Sequence, residues 1–246
     1  MSDMELSIAV FGGHSVPALH ATIASIRRAT HQLLAERQPP PEIVLFEQPG
    51  APTAHEHLAD ANESENLRFL PAERDIAASR AMAGAHLSGS HVAFLDAGDM
   101  WSSNFLVEAL RAARREGSRA SVWRPEAVVS CGRDYFAFDV RGVFQLPLLD
   151  TAAGALLLHE CPYAPSFFAH RRILDAVSFP LPDARRGWHD VDAWWTANTL
   201  GAGFGQRILE RTALYRWQSA ADATDKARIG PSCLFAPELS TRVASL

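Results

Sequence analysis

The 246-residue sequence predicts an α/β fold in which a mostly parallel sheet is flanked by helices. Three observations support this prediction. The first half alternates short apolar runs with amphipathic stretches, as consecutive βαβ units do. The run from Val92 to Leu95 lacks apolar–polar alternation, which is typical of a strand covered on both faces. With 48% hydrophobic residues, the chain can also bury a large core.

The elements of the first half follow from periodicity and from turn residues. Apolar runs predict the strands, apolar residues at helical spacing predict the helices, and Pro39-Pro40-Pro41 ends the first helix. The predicted elements are a strand at Leu6–Phe11, a helix at Ala18–Glu36, a strand at Ile43–Phe46, a loop at Glu47–Asn62, a strand at Leu67–Leu70, a helix at Ile76–Leu87, a strand ending at Asp96 and a helix at Asn104–Glu116.

The second half has shorter apolar runs. Tyr135–Val140 and Val143–Leu146 flank Arg141-Gly142, which predicts a β-hairpin. The other predicted elements are a strand at Ser166–His170 that leads into a helix through Val177, a helix near Asp190–Leu200, and final strands at Phe204–Leu209 and Ala213–Trp217. Residues 219–246 have weak periodicity and predict a peripheral tail.

Composition excludes several classes of protein. The net charge of −5 provides no overall basic field, so we expect no nucleic-acid partner. Three widely spaced cysteines fit neither a disulfide framework nor a CxxC metal site and favour a reducing compartment. The acidic N-terminus is unlike a signal peptide, and Leu6–Phe11 is too short to span a membrane. We therefore expect a cytoplasmic protein without a transmembrane segment.

Two acids, Asp96 and Asp99, follow the apolar run in quick succession. Ligands of open parallel sheets collect at the carboxyl ends of the strands, where these acids are expected to lie. An alternative is that Asp96 only caps the strand and Asp99 begins the next helix, because short acidic side chains favour both positions. The residues by themselves predict an acidic ligand site on a parallel sheet.

The segment from His91 to Trp101, HVAFLDAGDMW, resembles the FLDADD-W signature of family 2 glycosyltransferases, which have a GT-A fold and use nucleotide sugars. Ser7–Phe11 is similar to the first strand of that family, Leu19–Thr30 to its LxxTLxSI helix, and Ala213–Gln218 to its closing LxYRxH motif. The resemblance covers most of residues 5–110 and, more loosely, 164–218. It implies one GT-A-like domain at 1–218, with a nucleotide-sugar-binding half at 1–117, an acceptor-side half at 118–218, and the tail at 219–246.

The resemblance also implies donor-side residues. Asp96 and Asp99 keep the first and fourth positions of the acidic element that holds a divalent cation, Mg²⁺ or Mn²⁺, against the diphosphate, while Gly98 replaces an acid. Glu47 stands where the family uses an acid to bind the nucleotide base; a solvated loop acid is the alternative. Arg80 matches an Arg near the diphosphate, where its fork can bridge two oxygens; an Arg on a helix surface is the alternative.

A second cluster, GWHDVDAWW at residues 187–195, is similar to the family's EDxDLWLR segment. The resemblance implies that Asp190 is the catalytic base of an inverting reaction, with Asp192 as the second choice. The alternative is that Asp190 caps the following helix and that the tryptophans belong to the core. His189 replaces the usual Glu, and Gln218 replaces the usual His of the closing motif.

The expected function is transfer of a sugar from a nucleoside-diphosphate donor to a hydroxyl acceptor, with inversion and assistance from a divalent cation. The acceptor could be a glycan, a lipid-linked sugar or a small molecule. The alternative is a degenerate GT-A domain that binds nucleotide sugar, glycan or a protein partner without turnover. Departures from the family pattern favour this alternative, and they occur at Glu47, Gly98, His189 and Gln218.

Overall fold

A computed structural model describes residues 5–12, 16–47, 67–72, 76–117, 120–131, 140–145, 166–180 and 191–217. The strands are β1 (Leu6–Phe11), β2 (Glu42–Glu47), β3 (Leu67–Pro71), β4 (His91–Asp96), β5 (Asp99–Trp101), β6 (Ser121–Cys131), β7 (Val140–Gln145), β8 (Phe167–His170) and β9 (Gly205–Trp217). The helices of these residues are α1 (Val16–Ala35), α2 (Ile76–His86), α3 (Phe105–Glu116), α4 (Arg171–Ala176) and α5 (Val191–Gly201).

The nine strands of the described residues form one mixed sheet in the order β3-β2-β1-β4-β8-β6-β9-β5, and β7 pairs with β6. Strands β3, β2, β1 and β4 are mutually parallel. The register aligns Phe11 with Phe46 on one side and with Asp96 on the other. Because parallel strands point the same way, Phe11, Glu47 and Asp96 all end their strands at one edge of the sheet, which we call the carboxyl edge.

Helices cover both faces of this parallel block, and the side chains of β1 alternate between two apolar clusters. Ile8 and Val10 belong to a cluster that includes residues of α1 and α3. Ala9 and Phe11 belong to a second cluster that includes residues of α2 and α4. Every residue of β1 is buried, which explains why its sequence shows no alternation of apolar and polar residues.

The α/β fold with a helix-flanked sheet is confirmed, and the boundaries of the first-half elements shift by a few residues at most. The sequence analysis did not predict β5 or β6. The predicted turn at Arg141-Gly142 is wrong, because β7 continues through both residues. The two predicted final strands are one 13-residue strand, β9. Within it Arg211 has a positive φ of 60°, and the pairing of β6 with β9 shifts register between Pro125 and Ala127.

Several predicted features lie outside the described residues. They include most of the predicted loop at Glu47–Asn62 and the tail at 219–246. Within the part of the chain that the structure describes, no helix is both long enough and apolar enough to cross a membrane.

Candidate active site

The turn between β4 and β5 carries the two predicted acids, and α1 holds its backbone. Gly98 has a φ of 102°, which favours glycine and lets the chain reverse between Asp96 and Asp99. The Thr22 hydroxyl accepts a hydrogen bond from the Gly98 N–H at 2.8 Å and donates one to the Asp99 carbonyl at 2.8 Å. Thr22 is fully buried, so this turn is fixed from inside the protein. Thr22 was not among the predicted site residues. The sequence feature that could have identified it is a polar residue on the apolar face of α1.

Arg80 of α2 forms a bridge between the end of β4 and the start of α5. Its Nη2 donates to Asp96 Oδ1 at 2.5 Å, and its Nη1 donates to Asp192 Oδ2. The Arg80 side chain is 4% exposed, whereas those of Asp96 and Asp192 are 23% and 18% exposed. The guanidinium carbon lies 5.5 Å from the centre of the Phe11 ring. Four elements of the fold therefore meet at this one side chain.

The two carboxylates that bind Arg80 stabilise its positive charge. Burial by itself would lower the pKa of Arg80, but Asp192 and Asp96 outweigh burial, and the pKa is raised above its usual range. The Nε–H of Arg80 is buried and has no hydrogen-bond partner among the described residues. Arg80 is thus a permanently charged group whose two terminal nitrogens are both committed to carboxylates.

Asp99 points to a different cation, Arg216 near the end of β9. The Nη2 of Arg216 lies 3.2 Å from Asp99 Oδ2, and its Nε lies 3.4 Å from Oδ1 and 3.3 Å from Oδ2. Burial raises the pKa of Asp99 to about 6, and the nearby Asp96 adds to this, although Arg216 acts in the opposite direction. Asp99 in turn raises the pKa of Arg216. Arg216 matches the Arg of the closing motif, but no role was predicted for it.

Of the other predicted site residues, Glu47 lies on β2 and Asp192 on α5. Glu47 ends β2 at the carboxyl edge and is half-buried, and its carbonyl accepts from the Ala72 N–H at 2.7 Å. Asp192, the second choice for the base, lies in the first turn of α5 and binds Arg80. Asp190, the first choice, lies outside the described residues. The structure thus brings together Asp96, Arg80 and Asp192, which are far apart in sequence.

A second buried arginine, Arg124 of β6, anchors α5 further along the helix. Its Nη2 donates to the Thr196 hydroxyl at 2.9 Å, and its side chain is almost fully buried. Thr196 follows Asp192 by four residues, so both lie on the same face of α5. On another face, the indole N–H of Trp195 donates to the Val177 carbonyl at 2.8 Å. These bonds fix how α5 is rotated against the sheet.

The carboxyl edge carries acids of the type that bind divalent cations. Among the described residues, no three or more His, Cys, Asp or Glu side chains cluster in a way that could hold a metal. Mg²⁺ and Mn²⁺ accept carboxylate oxygens, and Mg²⁺ is commonly bound by one or two carboxylates together with substrate phosphates. Asp96, with a partly exposed carboxylate at a strand end, fits that mode of binding. Both oxygens of Asp99 lie within hydrogen-bonding distance of Arg216.

No protein-family model and no curated protein matches this sequence. Solved structures of similar fold include S. aureus TarS 1–349, with a TM-score of 0.64 and 16% identity over 87% of this chain and 60% of that chain. TarS 1–349 has also been solved with UDP-GlcNAc. GalNAc-T7 with UDP, GalNAc and Mn²⁺ matches with a TM-score of 0.62 and 16% identity over 90% of this chain and 45% of its own.

A third similar structure is the mannosyltransferase PcManGT from Pyrobaculum calidifontis with GDP-Man and Mn²⁺, with a TM-score of 0.60 and 14% identity over 97% of this chain and 69% of its own. The chain spans about 60% of the length of the TarS fragment. Together these structures establish that the fold is of the GT-A glycosyltransferase type, as the sequence resemblance implied.

Proposed function

We propose that this protein is a glycosyltransferase that uses a nucleoside-diphosphate sugar. The observation that carries the proposal is the meeting of Asp96, Arg80 and Asp192 at the carboxyl edge of a GT-A-type sheet. In open α/β sheets this edge is where ligands bind. Proteins of similar fold have been solved with UDP-GlcNAc and with GDP-Man, which supports a nucleotide sugar as the donor.

The donor lies along the carboxyl edge in this proposal. Glu47, at the end of β2, accepts an N–H of the nucleotide base in a charge-assisted hydrogen bond. Asp96, with Asp99 as the second acid of the same turn, would hold Mg²⁺ or Mn²⁺. When bound, the cation neutralises diphosphate charge and makes the nucleoside diphosphate a better leaving group.

Asp190 serves as the general base. It takes the proton from the acceptor hydroxyl while the hydroxyl oxygen forms a bond to the anomeric carbon of the sugar. The bond from that carbon to the diphosphate oxygen breaks on the opposite side, which inverts the configuration. Asp190 immediately precedes α5, whose first turn is tied to the carboxyl edge through Asp192. Asp190 is therefore adjacent in sequence to the anchored end of α5, which supports it as the base.

A second candidate function is that of a GT-A domain that binds a nucleotide sugar, a glycan or a protein partner without turnover. The observation that favours it is the pairing of Asp99 with Arg216, which engages one of the two acids expected to hold the cation. Where the bound ligand is a nucleotide sugar, the two candidates make the same claim about donor binding and differ in whether transfer follows.

Transfer assays with the purified chain separate these functions. A panel of UDP- and GDP-sugars is incubated with Mn²⁺ and with a mixture of hydroxyl acceptors, and release of nucleoside diphosphate is measured with and without acceptor. We expect acceptor-dependent release that is lost on removing Mn²⁺ with a chelator. Donor binding by calorimetry without any release would support the binding domain. Absence of both would contradict the glycosyltransferase and a domain that binds nucleotide sugars.

A further inference from the structure

We infer that Arg80 is a positioning residue that ties α5 to the end of β4, and that its guanidinium does not contact the donor diphosphate. The family resemblance assigned Arg80 to the diphosphate; the geometry points to this other role. The inference rests on the proposed function, because it concerns the same site.

The first argument is that the terminal nitrogens of Arg80 already have partners of opposite charge. Nη2 binds Asp96 and Nη1 binds Asp192, and these carboxylates come from two separate elements, β4 and α5. Each terminal nitrogen has a second N–H, but a diphosphate that approached it would lie beside the carboxylate already bound there and would be repelled by the negative charge of that carboxylate. The two carboxylates are only 23% and 18% exposed, so solvent screens this repulsion less than it would at an open surface.

The second argument is that the Arg80 side chain is more deeply buried than the two carboxylates that it binds. Arg80 is 4% exposed, less than either acid, so a ligand that arrives from solvent meets the carboxylates first. The guanidinium also lies near the Phe11 ring, 5.5 Å from the ring centre. A polyanion would meet negative charge before it reached Arg80, which makes Arg80 a poor direct contact for a diphosphate.

The third argument is that the bridge from Arg80 to Asp192 fixes the start of α5. Asp192 and Thr196 share one face of the helix, and each is held by a buried arginine from another element, Arg80 of α2 and Arg124 of β6. Two such anchors one turn apart set both the position and the rotation of the first half of α5. Arg80 thereby acts through Asp192 on the start of the helix, directly after the proposed base, Asp190.

The test compares nucleoside and nucleoside diphosphate in binding. For the parent, Arg80→Gln and Asp192→Asn, the Kd values of UDP and uridine, or of GDP and guanosine if the parent prefers those, are measured by calorimetry with Mn²⁺. The titrations are repeated without Mn²⁺, so that loss of the Arg80–Asp96 bond cannot act through the cation. Under these conditions a positioning role predicts that the ratio of the two Kd values stays within about twofold of the parental ratio, because Arg80 itself makes no donor contact. Transfer should slow about tenfold or more in kcat, and the double variant should be no slower than the slower single variant.

Other results would overturn the inference. If Arg80→Gln weakens diphosphate binding about tenfold or more in the absence of Mn²⁺ while nucleoside binding is unchanged, Arg80 contacts the diphosphate. Asp192→Asn provides a check that does not depend on the folding of Arg80→Gln. If Arg80 were a diphosphate ligand, release from Asp192 would make it more available, so diphosphate binding about threefold tighter or more would also overturn the inference.

A matched control and a parental measurement separate this inference from the proposed function. Arg111→Gln removes an exposed arginine of α3 that pairs with Glu36 and Glu108 and has no role in the proposed site, so it should leave binding and transfer unchanged. If the parent binds neither nucleoside diphosphate, the proposed function fails and the role of Arg80 fails with it. If the parent binds and only the Arg80→Gln ratio changes, the role of Arg80 fails and the proposed function stands.

Discussion

Asp96 and Asp99 are separated by a single turn, yet their carboxylates pair with different arginines. Asp96 Oδ1 accepts from Arg80 at 2.5 Å, while the Asp99 carboxylate accepts from Arg216 at 3.2–3.4 Å. The left-handed backbone of Gly98 and the hydroxyl of Thr22 fix the turn between them. The turn therefore presents two acids in unequal environments, one partly exposed and one buried.

This difference predicts unequal effects of substitution. Asp96→Ala should weaken Mn²⁺-dependent donor binding about tenfold or more, because it removes a partly exposed carboxylate expected to face the cation. Asp99→Ala should also weaken donor binding, and it should in addition lower the free energy of unfolding by about 1–3 kcal/mol, because it leaves Arg216 without its carboxylate. Calorimetry with Mn²⁺ and urea unfolding measure the two effects. Unchanged donor affinity in both variants would remove both acids from the site.

Glu47→Ala should weaken binding of the nucleoside as well as of the nucleoside diphosphate. A charge-assisted hydrogen bond to the base contributes about 1.5–3 kcal/mol, so its loss corresponds to about tenfold or more in Kd. Glu36→Ala, which removes an exposed acid that pairs with Arg111, is the matched control and should leave affinity unchanged. Equal nucleoside affinity in parent and Glu47→Ala would favour the alternative that Glu47 is a solvated acid.

Glu42 lies at the N-terminal end of β2, opposite Glu47. It makes the free energy of unfolding depend on pH in the acid range. Burial would raise the pKa of Glu42, but hydrogen bonds from Ser7 and from the backbone and hydroxyl of Ser88, together with Arg68, outweigh it and lower the pKa below its usual 4.5. The charged carboxylate is thus favoured in the folded state. Its contribution is complete above pH 4.5 and is lost as pH falls below that value towards the folded-state pKa.

The measurement is the free energy of unfolding in urea at neutral pH and at several values below pH 4.5. Glu42→Gln should be less stable than the parent at neutral pH, and the difference between them should shrink as pH falls. Glu108→Gln, which removes a half-buried acid that pairs with Arg111, serves as control and should differ little from the parent in its free energy of unfolding. A Glu42→Gln difference that stayed constant over this range would contradict the lowered pKa.

Strands with continuous apolar runs could be predicted from the sequence, and strands defined by their partners could not. The elements β1 and β4 are buried on both faces, so composition alone identifies them. By contrast β5 has three residues and exists because Asp99–Trp101 pairs with β9. Strand β6 contains Pro125 and Glu126 in its middle, which argue against a strand unless the register shift opposite them is known.

The same distinction applies to the site. Asp96 and Asp99 could be predicted because they directly follow a recognisable strand, and a strand end is a general ligand position. The contact between Arg80 and Asp192 spans 112 positions in the sequence, and no local pattern indicates it. Thr22 and Arg124 were missed for a similar reason. A polar residue within an apolar stretch does not reveal which buried group it binds until the packing of the elements is known.

Asp190 and Asp192 should respond differently to the same substitution. The carboxylate of Asp192 is held in an ion pair with Arg80 that protonation would break, so Asp192 is poorly suited to take a proton from an acceptor. Since a general base contributes about 10²–10⁴ in rate, Asp190→Asn should reduce kcat by that factor with almost unchanged donor Kd. Asp192→Asn should retain measurable activity, reduced about tenfold by misalignment of α5.

Steady-state kinetics and donor calorimetry on both variants test this difference between Asp190 and Asp192. Parental rates in Asp190→Asn would refute the assignment, and a parent that binds donor but transfers to no acceptor in a broad panel would make the binding-only domain the better account.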